Sequence, residues 1–388
     1  MEKLRAKLLA FSSADIQLFS KAKQKLTKLF HKDRVEFVDK DSDILVFLTG
    51  GSERNALQSV QEHGFYLLIA SAEDNSWAAA TEVKAWMNQN NISSILLDKD
   101  NPKSVEIVDA FYMAKNAIKS LHGQKFGMIG EPSEWLVNSK IDPFIIKTKL
   151  GIEQVNIPWS NVDIAGHKSI APDFISFFKD AENSEVILSG KVYEALSKQI
   201  RNYNLQAVTV ECFSLISQCN TTACLALSKL SMDGIPAGCE GDICSMVGML
   251  LVKELVGIVP WMVNIAHASQ QKIRIAHCTA PANLLKGFTL DTHFETGKGL
   301  AIDGKLKADT VTLFRVNNTL TKAFISSARV VDAPKQKSAC RTQVVLDIDP
   351  KDGDYFLNHP LGNHHLVIPG NHSTELELAM RILRMELV

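Results

Sequence analysis

The chain has 388 residues, which at about 150 per domain points to two or three domains. Lys and Arg number 42 against 43 Asp and Glu, a net charge of −1, so the excess of cations needed to neutralise a nucleic-acid backbone or an anionic membrane surface is missing. Hydrophobic residues at 46% and charged residues at 22% fit a folded chain and exclude a disordered one.

The opening run Met1 to Phe11 is too short and too interrupted for a secretory core, and no stretch reaches the roughly 18 apolar residues of a membrane span, so a cytoplasmic protein is expected. Ile44-Leu45-Val46-Phe47-Leu48-Thr49 reads as a buried strand running into Gly50-Gly51-Ser52. Tyr66 to Ala70, Ser94 to Leu97 and Phe126 to Gly130 read as further strands. Helices are predicted over Ser76–Gln89, with Ala79, Val83 and Trp86 on one face, and over Ser104–Leu121. Strand–helix alternation at this pitch implies a parallel sheet covered on both faces.

The rhythm continues in the middle of the chain. Ala207 to Val210 reads as a strand ending at Glu211, and a helix is predicted from near Thr221. Ile235 to Cys239 leads to Glu240. Asp242 has the character of an N-cap, with Gly257 as the helix stop. Val259 to Val263 and Ile273 to Ala276 read as strands ending at Asn264 and His277. Beyond these the pattern changes to alternating runs such as Thr310 to Val316 and Ala323 to Val330, which predict antiparallel, barrel-like β structure. A closing helix is expected after a capping box at Thr374 and Glu377. The expected fold class is therefore α/β, with doubly wound parallel-sheet domains followed by a C-terminal antiparallel, barrel-like β domain. The domains would be a Rossmann-like one over 1–160, a second α/β one over 161–285 carrying most of the site, and the β-rich one over 286–388.

All seven cysteines lie beyond residue 210 and none forms a Cys-x-x-Cys pair, so free thiols of a reducing compartment are expected. In a doubly wound sheet, ligands gather beyond the carboxyl ends of strands. Glu211, Glu240, Asn264 and His277 fall at such ends, and Asn363-His364-His365 precedes the apolar run Leu366 to Ile368. Carboxylate, amide and imidazole groups together suit Mn²⁺ or another divalent cation. Each also has a plain structural reading. Glu240 could complement a helix N-terminus, Glu211 could bond nearby backbone amides, His277 could be an interior histidine, and His364 and His365 could alternate in and out along a strand. Gly50-Gly51 could be an ordinary turn or a loop facing a ligand. Neither a complete dinucleotide fingerprint nor a phosphate-binding loop is present.

The run Ala237-Gly238-Cys239-Glu240-Gly241-Asp242, the strand Trp261-Met262-Val263-Asn264, the segment Ile275-Ala276-His277-Cys278 and the segment Gly362-Asn363-His364-His365 follow one another in the order and spacing that resemble the L-fucose/L-arabinose isomerase family over roughly residues 205–388. Leu48 to Glu53 and Gly130 to Trp135 resemble its shorter fucose isomerase-like members. The resemblance implies a metal-dependent aldose–ketose isomerase, acting through an enediol on a pentose or 6-deoxyhexose. Its catalytic residues would be Glu240, Asn264 and Glu211, its metal ligands Glu240, Asn264, His364 and His277, and its substrate contacts Asp242, His365, Gly50 and Gly51. It also implies a small-molecule sugar as the partner and a homo-oligomer. Asn264 departs from the family, which has Asp or Glu there; an amide takes no proton near neutral pH. Two alternatives follow from it: a sugar-binding relative without turnover, or an enzyme on the same scaffold for a sugar acid or sulfo-sugar.

Overall fold

The computed structural model describes residues 1–11, 13–31, 33–167, 169–179 and 183–388. They form two compact units, one of Met1–Asn116 with Leu378–Arg384 and one of Ala117–Glu377 with Met385–Val388.

The first unit is built on a five-stranded parallel sheet in the spatial order Val35–Phe37, Leu4–Leu9, Ile44–Phe47, Phe65–Ala70 and Ser93–Asp98. Strands buried on both faces read as continuous apolar runs, and Ile44–Phe47 is buried at every position. The helix Ser76–Gln89 lies where its periodicity places it. Leu4–Leu9 and Ile16–Leu29 form a strand and a helix beyond those expected from the sequence.

The second unit opens with a four-stranded parallel sheet ordered Glu153–Ile157, Lys125–Ile129, Ala207–Val210 and Ala237–Cys239. Its β part is a closed six-stranded antiparallel barrel, running Thr310–Val316, His365–Pro369, Trp261–Ala268, Lys272–His277, Thr342–Asp347 and Lys322–Asp332, the last pairing back onto the first. Trp261, Val263, Ile273, Ile275, Leu313, Phe324 and Val344 belong to the buried cluster that this part of the chain encloses. The α/β and barrel classes expected from the sequence are thus both present.

Two corrections apply to the local reading. The strands containing Asn264 and His277 are barrel staves, not members of a doubly wound sheet, and Asn264 lies inside its strand instead of at the end. Short apolar runs do not reveal which sheet they join. The closing helix begins at Ser373, one residue before the expected capping threonine.

The helix Ile243–Val256 joins the second sheet to the barrel. It begins at Asp242, whose side chain accepts from the Ser245 amide, and ends at Gly257 in the left-handed conformation. It packs on Ala207–Val210 on one side and on Thr310–Val316 and His365–Pro369 on another. A helix covered on several faces must be apolar nearly all round, and Met246, Val247, Met249, Leu250, Leu251 and Val252 are all buried. This packing brings the turn before the helix against the barrel strands.

Candidate metal centre

Glu240 and Gly241 form the turn between Ala237–Cys239 and the joining helix, with φ of +60° and +71°. Left-handed backbone is unusual for a residue with a side chain and is sustained by its surroundings. Here the Glu240 carbonyl accepts from the Ser133 amide at 3.0 Å, and its carboxylate Oε2 accepts from Trp135 Nε1 at 2.6 Å. The other oxygen, Oε1, faces two imidazoles, 3.6 Å from His364 Nε2 and 3.9 Å from His277 Nε2. Two atoms bound about 2.1 Å from one cation lie no more than about 4.2 Å apart. The two separations from Glu240 lie inside that limit, and the ligand atoms of Glu240, His277 and His364 all lie within 4.8 Å of one another.

The far side of each ring is occupied. His364 Nδ1 meets Asp242 Oδ2 at 2.9 Å, and His277 Nδ1 meets Thr279 Oγ1 at 3.0 Å. A partner at Nδ1 holds each ring orientation, and the carboxylate at His364, which only accepts, favours the tautomer with a lone pair on Nε2. Both rings are buried, and among the described residues both Nε2 atoms lack a hydrogen-bond partner. Buried polar atoms are normally satisfied, so two orphaned nitrogens aimed at one carboxylate fit an ion between them. One carboxylate and two imidazoles form a donor set for a divalent transition metal.

Behind His364 stands a buried ion pair. Asp242 is fully enclosed, 3.7 Å from the Arg315 guanidinium. Arg315 also donates to the His364 carbonyl and, at 3.0 Å, to Ser139 Oγ. Burial opposes the charge on Asp242, but Arg315 and then His364 outweigh it and hold the carboxyl far below its usual range. Burial likewise opposes charge on Glu240, yet His364, His277 and Trp135 bring its pKa down to about 2. The two imidazoles are driven apart. Burial and the neighbouring His364 lower His277 to about 4, whereas Asp242 and Glu240 overcome burial and raise His364 to about 9.

The other expected site residues are placed differently. Asn264 Oδ1 accepts from Asn363 Nδ2 at 2.5 Å, and its Nδ2 lies 3.9 Å from Cys340 Sγ. Glu211 turns back onto the chain, accepting from the amides of Phe213 and Ser214 at 3.1 Å and facing Trp159 Nε1 at 3.3 Å. That is the amide-bonding arrangement the sequence also allowed. The two oxygens of Asp242 are taken by Ser245 and His364, so it holds a ligand in place instead of reaching outward. His365 points into an aromatic cluster, its Nε2 2.9 Å from the Tyr355 hydroxyl and its ring beside Phe324 and Phe356. Gly50 and Gly51 belong to the first unit, where the Gly50 amide donates to the Asp74 carbonyl at 2.8 Å and Gly51 has φ of +72°.

Trp135, Thr279 and Arg315 were not among the expected site residues. Arg315 had a readable signal, since a lone cation inside the apolar run Leu313-Phe314-Arg315-Val316 must find a buried partner.

No family model matches the chain. It is similar to the sulfoquinovose isomerases of Priestia aryabhattai and Priestia megaterium, 24% identical over 290 residues in each case, which is 69% of this chain and 65% of the relative. A sulfoquinovose isomerase of Alkalicoccus urumqiensis is 19% identical over 319 residues, 74% of this chain and 72% of the relative. The chain thus matches 65% of the length of the two Priestia relatives.

Proposed function

We propose that this protein is a metal-dependent aldose–ketose isomerase and that its substrate is a sulfonated 6-deoxyhexose of the sulfoquinovose type. The observation that carries the reading is the pair of buried, partnerless imidazole nitrogens facing the Glu240 carboxylate. The relatives' name supports the sulfo-sugar over the L-fucose or L-arabinose specificity that the resemblance implied. Mn²⁺, the small-molecule sugar partner and a homo-oligomer remain parts of this reading.

Glu240, His277 and His364 would hold the cation. When bound, it supplies a Lewis acid that polarises the sugar carbonyl and orients two neighbouring oxygens. Asp242 and Thr279 fix the two imidazole rings, and Arg315 keeps Asp242 ionised. Trp135 sets the direction of the Glu240 carboxylate. Glu240 takes the C2 proton of the aldose as the C1–C2 double bond forms and the C1 carbonyl oxygen gains a proton. The resulting enediol loses its O2 proton, the C2 carbonyl forms, and Glu240 returns its proton to C1. C2 is oxidised and C1 reduced within one molecule, so no external oxidant is needed.

The test is conversion of sulfoquinovose, L-fucose and L-arabinose by the Mn²⁺-loaded protein, followed by NMR, with Glu240→Gln beside it. General acid–base catalysis typically contributes ~10²–10⁴-fold, and the variant is expected to lose at least the lower figure. Turnover by Glu240→Gln at the parental rate would remove Glu240 from the mechanism. Asn264 favours the second reading, sugar binding without turnover. That reading gains if the parent binds sugar but is inert while Asn264→Asp turns over.

A further inference from the structure

We propose that Glu295, which faces His293 across the turn they share, is the second acid/base group of the site and does the work of the carboxylate that Asn264 lacks. The inference rests on the isomerase reading above. An enediol mechanism moves a carbon-bound proton and also protons on O1 and O2, and Glu240 alone accounts for the first. Asn264 cannot serve for the others, since it is an amide already held by Asn363. Glu211 is equally committed, its oxygens accepting from backbone amides.

The hairpin Leu285–Thr292 and Leu300–Leu306 carries a turn that supplies a replacement. His293 in this turn is buried, its Nδ1 3.1 Å from Thr296 Oγ1 and its Nε2 3.9 Å from Glu295 Oε2. A continuous wall of contacts runs from the metal centre to this pair. Trp135, which donates to Glu240, stacks edge-on against Phe213 at 4.8 Å between centroids, and Phe213 meets the His293 ring at 6.1 Å. Arg341 ties the base of the turn down, donating to the Thr292 carbonyl at 2.6 Å and to Thr292 Oγ1 at 3.1 Å. Arg341 follows Cys340, the residue beside the Asn264 amide. The turn is therefore tied to the segment that carries Cys340, the neighbour of Asn264.

Glu295 is half-exposed, as a group that must meet a substrate has to be, whereas Asp242 is sealed. Partial burial raises its pKa, His293 works against the rise, and the charge of Glu240 adds to it. In the reaction Glu295 would give a proton to the C1 carbonyl oxygen as the enediol forms and take one from O2 as the ketose forms, ending as it began. His293 would act as its positioning residue.

The experiment compares the Mn²⁺-loaded parent with Glu295→Gln, His293→Asn and Asn264→Asp/Glu295→Gln, using sulfoquinovose as substrate and calorimetric Mn²⁺ binding as a second readout. Glu295→Gln is expected to lower kcat by about 10²-fold or more while KM and the Mn²⁺ affinity stay within about threefold. The double variant is expected to regain at least about tenfold over Glu295→Gln, because the carboxylate returns at 264. His293→Asn is expected to lower kcat less than Glu295→Gln. A Glu295→Gln enzyme near parental rate, an equal loss of Mn²⁺ affinity, or a double variant no better than Glu295→Gln would overturn the inference and leave the isomerase reading standing. A parent inert on every sugar would sink that reading, and this inference with it.

Discussion

Replacing Asp242 by Asn removes one charge and almost no volume from the centre of the joining region. The amide oxygen can still accept from Ser245, so the helix start survives. What is lost is the partner of Arg315, whose side chain is 1% exposed. Removing one member of a buried pair costs about 3–5 kcal/mol, because the other charge stays behind uncompensated. Arg315 keeps its bonds to the His364 carbonyl and to Ser139, so the lower end, about 3 kcal/mol, is expected. The second consequence falls on His364. An Asn side chain that donates to Nδ1 places the imidazole proton on Nε2, where the ion would bind, and loss of an outer partner typically weakens metal binding about 10–100-fold. Hydrogen exchange of segment 310–316 in the metal-free protein reads the first effect, and calorimetric Mn²⁺ titration the second. Loss of protection below about 1 kcal/mol together with unchanged Mn²⁺ affinity would refute the proposed support of His364 by Asp242 and Arg315.

Three further outcomes are expected. Gly241→Ala places a methyl 2.7 Å from Met128 Cε and from Pro132 Cα at φ of +71°, and should destabilise by about 2–4 kcal/mol in urea unfolding. Gly234→Ala, at φ of +87° with open space around it, should cost only about 1 kcal/mol; equal effects would show that crowding at Gly241 is irrelevant. Trp135→Phe removes the indole donor to Glu240 and should lower kcat/KM about tenfold with the fold intact by circular dichroism; a parental value would show that the bond does not orient the carboxylate. Burial raises the pKa of Asp352, against a hydrogen bond from Ser326 and the nearby Lys351 charge. Its folded form therefore keeps its proton at a higher pH than the unfolded chain does. The stability tied to that proton is fully present below the ordinary carboxylate range and is lost as pH rises through the folded value. Relative to Asp352→Asn, the parent should thus be more stable near pH 4 than near pH 7, as urea midpoints would show; a pH-independent difference would contradict this.

The parts of the site legible in the sequence were those whose signal is local. Asp242 as a helix cap and Gly257 as a stop depend only on the backbone around them, and the helix runs Ile243–Val256 between them. Glu240, His277 and His364 were candidates because each stands next to a strand, and resemblance put them in order. Glu211 and His365 looked equivalent by the same local rule. They separate only in three dimensions, where one is drawn to its own backbone amides and the other into the Tyr355 cluster. Arg315 stands out as a lone cation in an apolar run, but a sequence does not show which buried charge will meet it.

Alternation of apolar runs and helices determined the parallel sheets, and period-two patterning determined the barrel, because both follow from neighbours along the chain. The joining helix is apolar on several faces, which already required that it be covered on more than one side. Only the tertiary structure decided that Lys272–His277 joins the barrel and that residues 240, 277 and 364 meet. The physical reason is that sheet membership and side-chain convergence depend on packing between distant segments, for which charge, length and periodicity carry no code. The same holds for His293, which meets Phe213 only once the hairpin is folded.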